Sequence, residues 1–153
     1  MSTVSERLDE LGITLPAVAA PVAAYVPAVR TGNQVWTSGQ LPFIDGALGT
    51  TGRVGAEVTA EEAADLARTA ALNALAAVDA LVGVDKITRV LKIVGFVASA
   101  EGFTGQPTVV NGASNLMGEI FGEAGAHARS AVGVAELPLA APVEIELIVE
   151  VSD

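Results

Sequence analysis

Cysteine is absent from the 153 residues and histidine occurs once, as His127. No disulfide scaffold, thiol nucleophile or Cys-ligated metal centre is therefore available, and a multi-histidine metal site is excluded as well. A Ser-His-Asp triad would depend wholly on His127, whose bland reading is a polar loop residue ahead of a strand. Cations are scarce: eight Lys and Arg stand against eighteen Asp and Glu, for a formal net charge of −10. Wrapping nucleic acid or lying on an anionic membrane needs a cationic surface, so both are disfavoured. The glycine-rich Gly122-Glu123-Ala124-Gly125 lacks the Lys-Ser/Thr ending of a phosphate loop. The longest early uncharged stretch, residues 15–29, carries Pro16, Pro21 and Pro27 and is too short to span a bilayer. Met1–Arg7 does not lead from cations into an apolar core, so no signal peptide is read and the cytoplasm is the expected location.

Charged residues make up only 17% of the chain, against about 25% in an average soluble domain. Hydrophobic residues reach 51% with 4% aromatics; the apolar mass is 28 Ala and 21 Val. Small apolar residues imply closely spaced elements. So little charge leaves little surface for a lone monomer and points to a buried subunit interface. The length fits one domain.

Thr3 and Glu6 have capping-box spacing and Gly12 can close a helix, so residues 3–12 are predicted as a short helix. The Pro/Ala-rich 15–24 that follows reads as an extended arm. This divides the chain into a helix and arm at 1–22 and a single domain at 23–153. Apolar runs at 25–30 and 34–38, split by Thr31-Gly32-Asn33, signal a hairpin. Residues 42–55 read as a surface loop. Thr59 and Glu62 open the strongest helix, whose Ala and Leu recur at 3–4 spacing until Gly83. A central strand is predicted over 87–99, and a helix from Pro107 to about Phe121, with Gly112 and Gly118 against it. Strands follow over 130–136 and 143–151. The last alternates strictly, with Ile145, Leu147, Val149 and Val151 on one face and Glu144, Glu146, Ile148 and Glu150 on the other. The order β-β-α-β-α-β-β argues an α+β fold: one mixed sheet with two helices on one face, preceded by an N-terminal helix.

Arg129 is the sole cation between Lys92 and the C-terminus, at the entry to a strand whose next same-face residues, Ala131 and Gly133, are small. A guanidinium there suits planar recognition of a carboxylate; the alternative is an ion pair with Glu144 or Glu146 on a neighbouring strand. Those two glutamates are either a solvated strand face or include one that reaches a cleft and handles a water. Gly39, after Ser38, lets backbone approach a ligand. Ser38 has no nearby base and reads as a hydrogen-bonding group.

The segments Tyr25-Val26-Pro27-Ala28-Val29, Trp36-Thr37-Ser38-Gly39-Gln40-Leu41-Pro42, Val109-Val110-Asn111, Ala128-Arg129-Ser130-Ala131-Val132, Glu136-Leu137-Pro138 and Val143-Glu144-Ile145-Glu146 occur in an order and spacing that resemble the Rid family. These are the reactive intermediate deaminases, the YjgF or RutC-like proteins once labelled endoribonuclease L-PSP. The resemblance runs from about residue 23 to residue 151. It implies a chorismate-mutase-like α+β fold and a homotrimer with clefts between subunits. It implies hydrolysis of 2-imino or 2-enamino acids, such as 2-aminoacrylate, to 2-oxo acids and ammonia. In that scheme Arg129 holds the substrate carboxylate and Glu144 the attacking water, with Tyr25, Ser38, Gly39, Asn111 and Ala131 completing the cleft. No metal or cofactor is implied. An imine carbon is already electrophilic, so positioning a water supplies most of the benefit. The sequence departs from the pattern in its N-terminal helix, in the longer loop at 43–57, between Asn111 and Arg129, and at Gly133, where many deaminases carry Glu. A non-catalytic trimer that binds small carboxylates, or a ribonuclease and translation inhibitor, are the other functions consistent with the resemblance.

Overall fold

A computed structural model describes residues 2–18 and 24–153. Thr3 caps helix α1 (Val4–Glu10) through the predicted capping box, its hydroxyl accepting from the Glu6 amide. Helix α1 seats Leu8 in the same core as the rest of the chain, with Leu11, Ile13 and Leu15 packed alongside. It is tied down by Ser5, whose amide and hydroxyl both donate to the Asp85 carboxylate at 2.7 and 2.8 Å. Residues 19–23 of the predicted arm lie outside the described residues.

The hairpin forms as strands β1 (Ala28–Thr31) and β2 (Gln34–Thr37). Its first turn residue, Gly32, has φ 56°, the positive φ that two-residue hairpin turns need and that Gly adopts without strain. Then come α2 (Ala60–Val82), β3 (Ile87–Ala98), α3 (Gln106–Phe121), β4 (Ala128–Val134) and β5 (Val143–Val151). The strands form one sheet in the order β1-β2-β5-β3-β4. Neighbours are antiparallel except β3 and β4, which are parallel and joined through α3, as a parallel pair requires a crossover. The predicted α+β arrangement, a mixed sheet with two helices on one face, is present.

The core lies between that sheet face and the two helices. Val143, Ile145, Leu147, Val149 and Val151 are all at most 1% exposed, the inner half of the β5 alternation. Facing them is the Ala stripe of α2: Ala63, Ala67, Ala70, Ala71 and Ala74 are wholly buried. Helix α3 keeps its regular path through Gly112 because the position serves packing. A Cβ there would run into the Ala64 backbone carbonyl of α2, so only Gly allows this helix spacing. Gly95 plays the same part beneath α3, where a Cβ would collide with the Val110 side chain.

Three details differ from the sequence reading. Strand β1 begins at Ala28 rather than Tyr25, and β4 covers 128–134 rather than 130–136. The segment at 42–55 is not all surface. Val54 is fully buried and its amide donates to the Ala98 carbonyl at 2.7 Å. Asn73 Nδ2 on α2 donates to the Leu41 and Phe43 carbonyls, both at 3.0 Å. Two isolated inward residues, Pro42 and Val54, in a Gly-rich loop leave no periodicity to read. Among the described residues, no helix is long and apolar enough to cross a membrane.

Candidate functional site

Arg129 is the second residue of the edge strand β4. The register pairs it with Ile93, and Ile93 with Leu147 of β5, so its side chain leaves the sheet on the helix-bearing face. There Nη1 donates to Asn111 Oδ1 at 2.7 Å and to Ser114 Oγ at 3.2 Å. Asn111 and Ser114 are three residues apart on α3 and therefore share a face. Both acceptors sit on one nitrogen, and no described residue accepts from Nε or Nη2. That leaves the edge of the guanidinium that can bind a carboxylate through two parallel bonds. Ala131, two positions on and on the same face, leaves room beside it. Asn111, whose surroundings depart most from the family pattern, is thus brought to Arg129.

Glu144 is elsewhere. It pairs with Phe96, and Phe96 with Val132, which sets it on the opposite, open face of the sheet. Its side chain lies across Gly39: a Cβ at Gly39 would come within 2.6 Å of Glu144 Oε1. Gln40 keeps this segment on β5 by exchanging backbone bonds with Ile145, at 2.8 and 3.0 Å. Burial pushes the Glu144 carboxyl above the usual carboxylate range, and the Glu146 charge beside it adds to the rise. Burial also raises Glu146, but Lys92 on the same face works against it. Ser38 is used structurally. Its hydroxyl donates to the Val26 carbonyl at 2.6 Å and its amide to the Pro27 carbonyl at 2.8 Å. It thereby holds the segment that carries Tyr25, whose side chain is exposed.

The candidate residues therefore form two clusters. Arg129, Asn111 and Ala131 lie in the groove between β4 and α3. Glu144 and Gly39 lie at the end of β2 on the other face, next to Ser38 and Tyr25. The sequence reading of an ion pair between Arg129 and Glu144 or Glu146 is corrected. β3 separates β4 from β5, the side chains leave opposite faces, and the ion pairs among the described residues are Arg7–Glu10 and Arg68–Glu119. Two residues of the Arg129 cluster went unread: Ser114, and His127, whose Nε2 is 2.9 Å from Ser114 Oγ. The i, i+3 spacing of Asn111 and Ser114 was a usable signal for the first. At Gly133 a Cβ would meet the movable end of Gln106, Nε2 at 2.8 Å.

Among the described residues, no group of three or more His, Cys, Asp or Glu could hold a metal ion. Most of the remaining arginines are engaged or face an acidic residue. Arg7 and Arg68 converge on Glu119, through its carbonyl and its carboxylate. Arg30 donates to the Gly32 carbonyl, and Arg89 pairs in register with Glu150.

The topology and the two clusters describe a class: an α+β chain with an edge-strand arginine under one helix and a glutamate on the far sheet face. The family model described as "YjgF/chorismate mutase-like, putative endoribonuclease" matches residues 5–151. The chain belongs to this YjgF family. It is similar to Protein TCP17 of Trypanosoma cruzi, 45% identical over 152 residues, covering 98% of this chain and 95% of that one. It is similar to the crystal structure of Atu1372 from Agrobacterium tumefaciens, with 47% identity, TM-score 0.89, and 97% and 92% of the two chains covered. It is also similar to TdcF of E. coli, solved with bound serine, with 27% identity, TM-score 0.65, and 91% and 96% covered.

Proposed function

We propose that this protein hydrolyses 2-imino or 2-enamino acids to 2-oxo acids and ammonia, in clefts between the subunits of a homotrimer. The observation that carries the reading is the guanidinium of Arg129, fixed through Nη1 and with its Nε/Nη2 edge taken up by no described residue. A small carboxylate is the ligand that edge fits. The serine bound by the relative TdcF is a ligand of that class.

Glu144 supplies the second requirement. Its raised pKa, from burial and then from Glu146, moves it toward the range in which a carboxylate both accepts and returns a proton near neutral pH. In the reaction, Arg129 binds the substrate carboxylate and lowers its charge. Glu144 accepts a proton from a water as that water's oxygen attacks the imine carbon. With the imine attacked in its N-protonated form this gives a neutral carbinolamine. Glu144 returns its proton to the nitrogen, the C–N bond breaks to release ammonia, and the hydroxyl gives its proton to Glu144 as the carbonyl of the 2-oxo acid forms. An enamine reaches the same point after tautomerising to the imine.

Arg129 and Glu144 face opposite sides of their own sheet, so the reading requires Arg129 of one protomer to meet Glu144 of its neighbour. The open sheet face supports such an assembly. Val29, Trp36 and Ile148 lie side by side across three strands, with Trp36 47% and Val29 53% exposed. A contiguous apolar face of this kind is uncommon on a monomer. The nuclease reading finds no such support, because the cations are few and mostly engaged.

The test generates imines in place from an amino acid and an amino-acid oxidase, and follows ammonia release with and without the protein. Native protein accelerates release and Arg129→Ala does not. No acceleration across several amino acids refutes the enzyme reading. Binding of a 2-oxo acid that needs Arg129, without turnover, replaces it with a carboxylate-binding regulator.

A further inference from the structure

His127 is half-buried just ahead of β4, and both of its ring nitrogens are engaged. Nε2 lies 2.9 Å from Ser114 Oγ, and Nδ1 lies 2.6 Å from the Gly125 carbonyl oxygen. The hydrogens can be counted. A carbonyl oxygen only accepts, so Nδ1 carries the proton. Arg129 Nη1 only donates, so its bond occupies a lone pair of Ser114 Oγ. The Ser114 hydroxyl proton is then directed to Nε2, the acceptor nitrogen of the Nδ1–H tautomer. From Arg129 through Ser114 and His127 to Gly125, each donor meets an acceptor. The far end is anchored by packing. Gly125 is buried, and a Cβ on it would run into the Met117 backbone carbonyl, so this turn rests directly on α3.

We propose that His127 is a positioning residue for Arg129. Held in one tautomer by the Gly125 carbonyl, it orients the Ser114 hydroxyl so that a lone pair points at Nη1. Together with Asn111 this fixes the plane of the guanidinium and turns its Nε/Nη2 edge to an incoming 2-imino or 2-oxo acid. The inference rests on the reading of Arg129 as the carboxylate anchor. The relay also accounts for the small number of polar side chains needed around Arg129. Two acceptors on one nitrogen leave the planar fork a single orientation, whereas an unheld Arg side chain rotates about several bonds.

The tautomer is read first, by long-range ¹⁵N–¹H correlation NMR on the native chain in mildly alkaline buffer, where the sole histidine gives one set of ring signals. The Nδ1–H form is expected, and the Nε2–H form overturns the relay whatever the activity. Binding of 2-oxobutanoate is then followed by calorimetry. His127→Phe keeps the ring and removes the acceptor, and raises Kd about fivefold, the effect of one lost neutral hydrogen bond. KM for the imine rises in parallel and kcat stays level. His127→Gln, whose Oε1 can accept from Ser114, recovers most of the loss at an equal thermal midpoint. In an Arg129→Ala background, His127→Phe changes binding no further. An equal loss in both backgrounds, an unchanged Kd, or a fall confined to kcat each overturns the proposal. Native protein that binds no 2-oxo acid overturns the proposed function, and with it the purpose given to the relay; the tautomer result stands apart from that outcome.

Discussion

Gly39→Ala isolates the position of Glu144 from its chemistry. The new methyl would stand 2.6 Å from Oε1, 2.7 Å from Cδ and 2.9 Å from Cγ of Glu144, where ordinary contact begins at 3.4 Å. The carboxylate must give by about 0.8 Å, the difference between 3.4 and 2.6 Å. Because Cγ is also too close, rotating the carboxyl alone does not relieve the clash. The whole side chain changes rotamer. A misplacement of about 1 Å at a reacting group costs about 100-fold in rate, and kcat for ammonia release from an in-situ imine should fall by that order. Arg129, supplied to that cleft by the neighbouring protomer, is the group that holds the substrate carboxylate, so the Kd of a 2-oxo acid should change far less than kcat. The variant carries the cost of overpacking, about 1–3 kcal/mol, which a thermal midpoint measures separately. If folded Gly39→Ala retains native kcat while Glu144→Gln does not, the carboxylate does not act from this position. If it loses 2-oxo acid binding in proportion to kcat, the division of roles between Arg129 as carboxylate anchor and Glu144 as base is wrong.

Arg129→Ala removes two hydrogen bonds to a charged group, about 1.5–3 kcal/mol each, so kcat/KM should fall by about 100-fold or more and release at the low imine levels an oxidase supplies should not exceed background; steady-state kinetics checks it. For pH, the folded-state pKa of Glu144 is raised by burial and by Glu146. Activity should fall on acidification at a higher pH than an ordinary glutamate would give, and a pH–rate profile locates the limb. Stability runs the other way. Between the unfolded and folded pKa values the folded chain binds more protons, so this group's contribution improves as pH falls through that window and worsens as pH rises. Glu144→Gln should therefore raise the thermal midpoint near neutral pH while abolishing turnover. Gly112→Ala drives a methyl into the Ala64 carbonyl, and should destabilise by about 1–3 kcal/mol or more in denaturant titration. Light scattering should give three times the chain mass, and Trp36→Glu on the open sheet face should reduce it.

How much the sequence revealed depended on periodicity. β5 alternates without a break over 143–151, and its inner residues are all buried, so both its faces were readable. The Ala stripe of α2 and the capping boxes at Thr3 and Thr59 were equally explicit. Val54 was not, because one buried residue among Gly and Thr carries no period. Gly112 shows the opposite failure. Intrinsic propensity counts it against a helix, yet the closeness of α2 and α3 requires it, and tertiary packing overrides propensity. In the site, Arg129 stood out by the scarcity of cations around it, and Asn111 through the resemblance. His127 read as loop because its partners are a backbone carbonyl and a hydroxyl thirteen residues away, neither of which leaves a motif.

The relation between Arg129 and Glu144 was the least legible point, and it decides how the protein can work. Both were assigned to one site, and adjacency of their strands was assumed. Two facts of register undo that within a single chain. β3 is inserted between β4 and β5, and the parity of pairing sends Arg129 to the helix side with Ile93 and Glu144 to the open side with Phe96. A flip of one residue in β5 would bring both side chains to the same face, but it would also turn Leu147 and Ile145 out of the core, where each is at most 1% exposed, while Arg129 is held on the helix side by Asn111 and Ser114. The core therefore locks the two groups apart. If both act on one substrate, they act across two copies, and every variant that dissociates the assembly through the open face should lose turnover even with Arg129 and Glu144 intact. Mixing an Arg129→Ala chain with a Glu144→Gln chain supplies the check. Subunit exchange should restore clefts that draw the arginine from one parent and the glutamate from the other, so activity reappears in a mixture of two inactive proteins. If no activity returns after exchange is verified by mass, the two residues do not share a cleft.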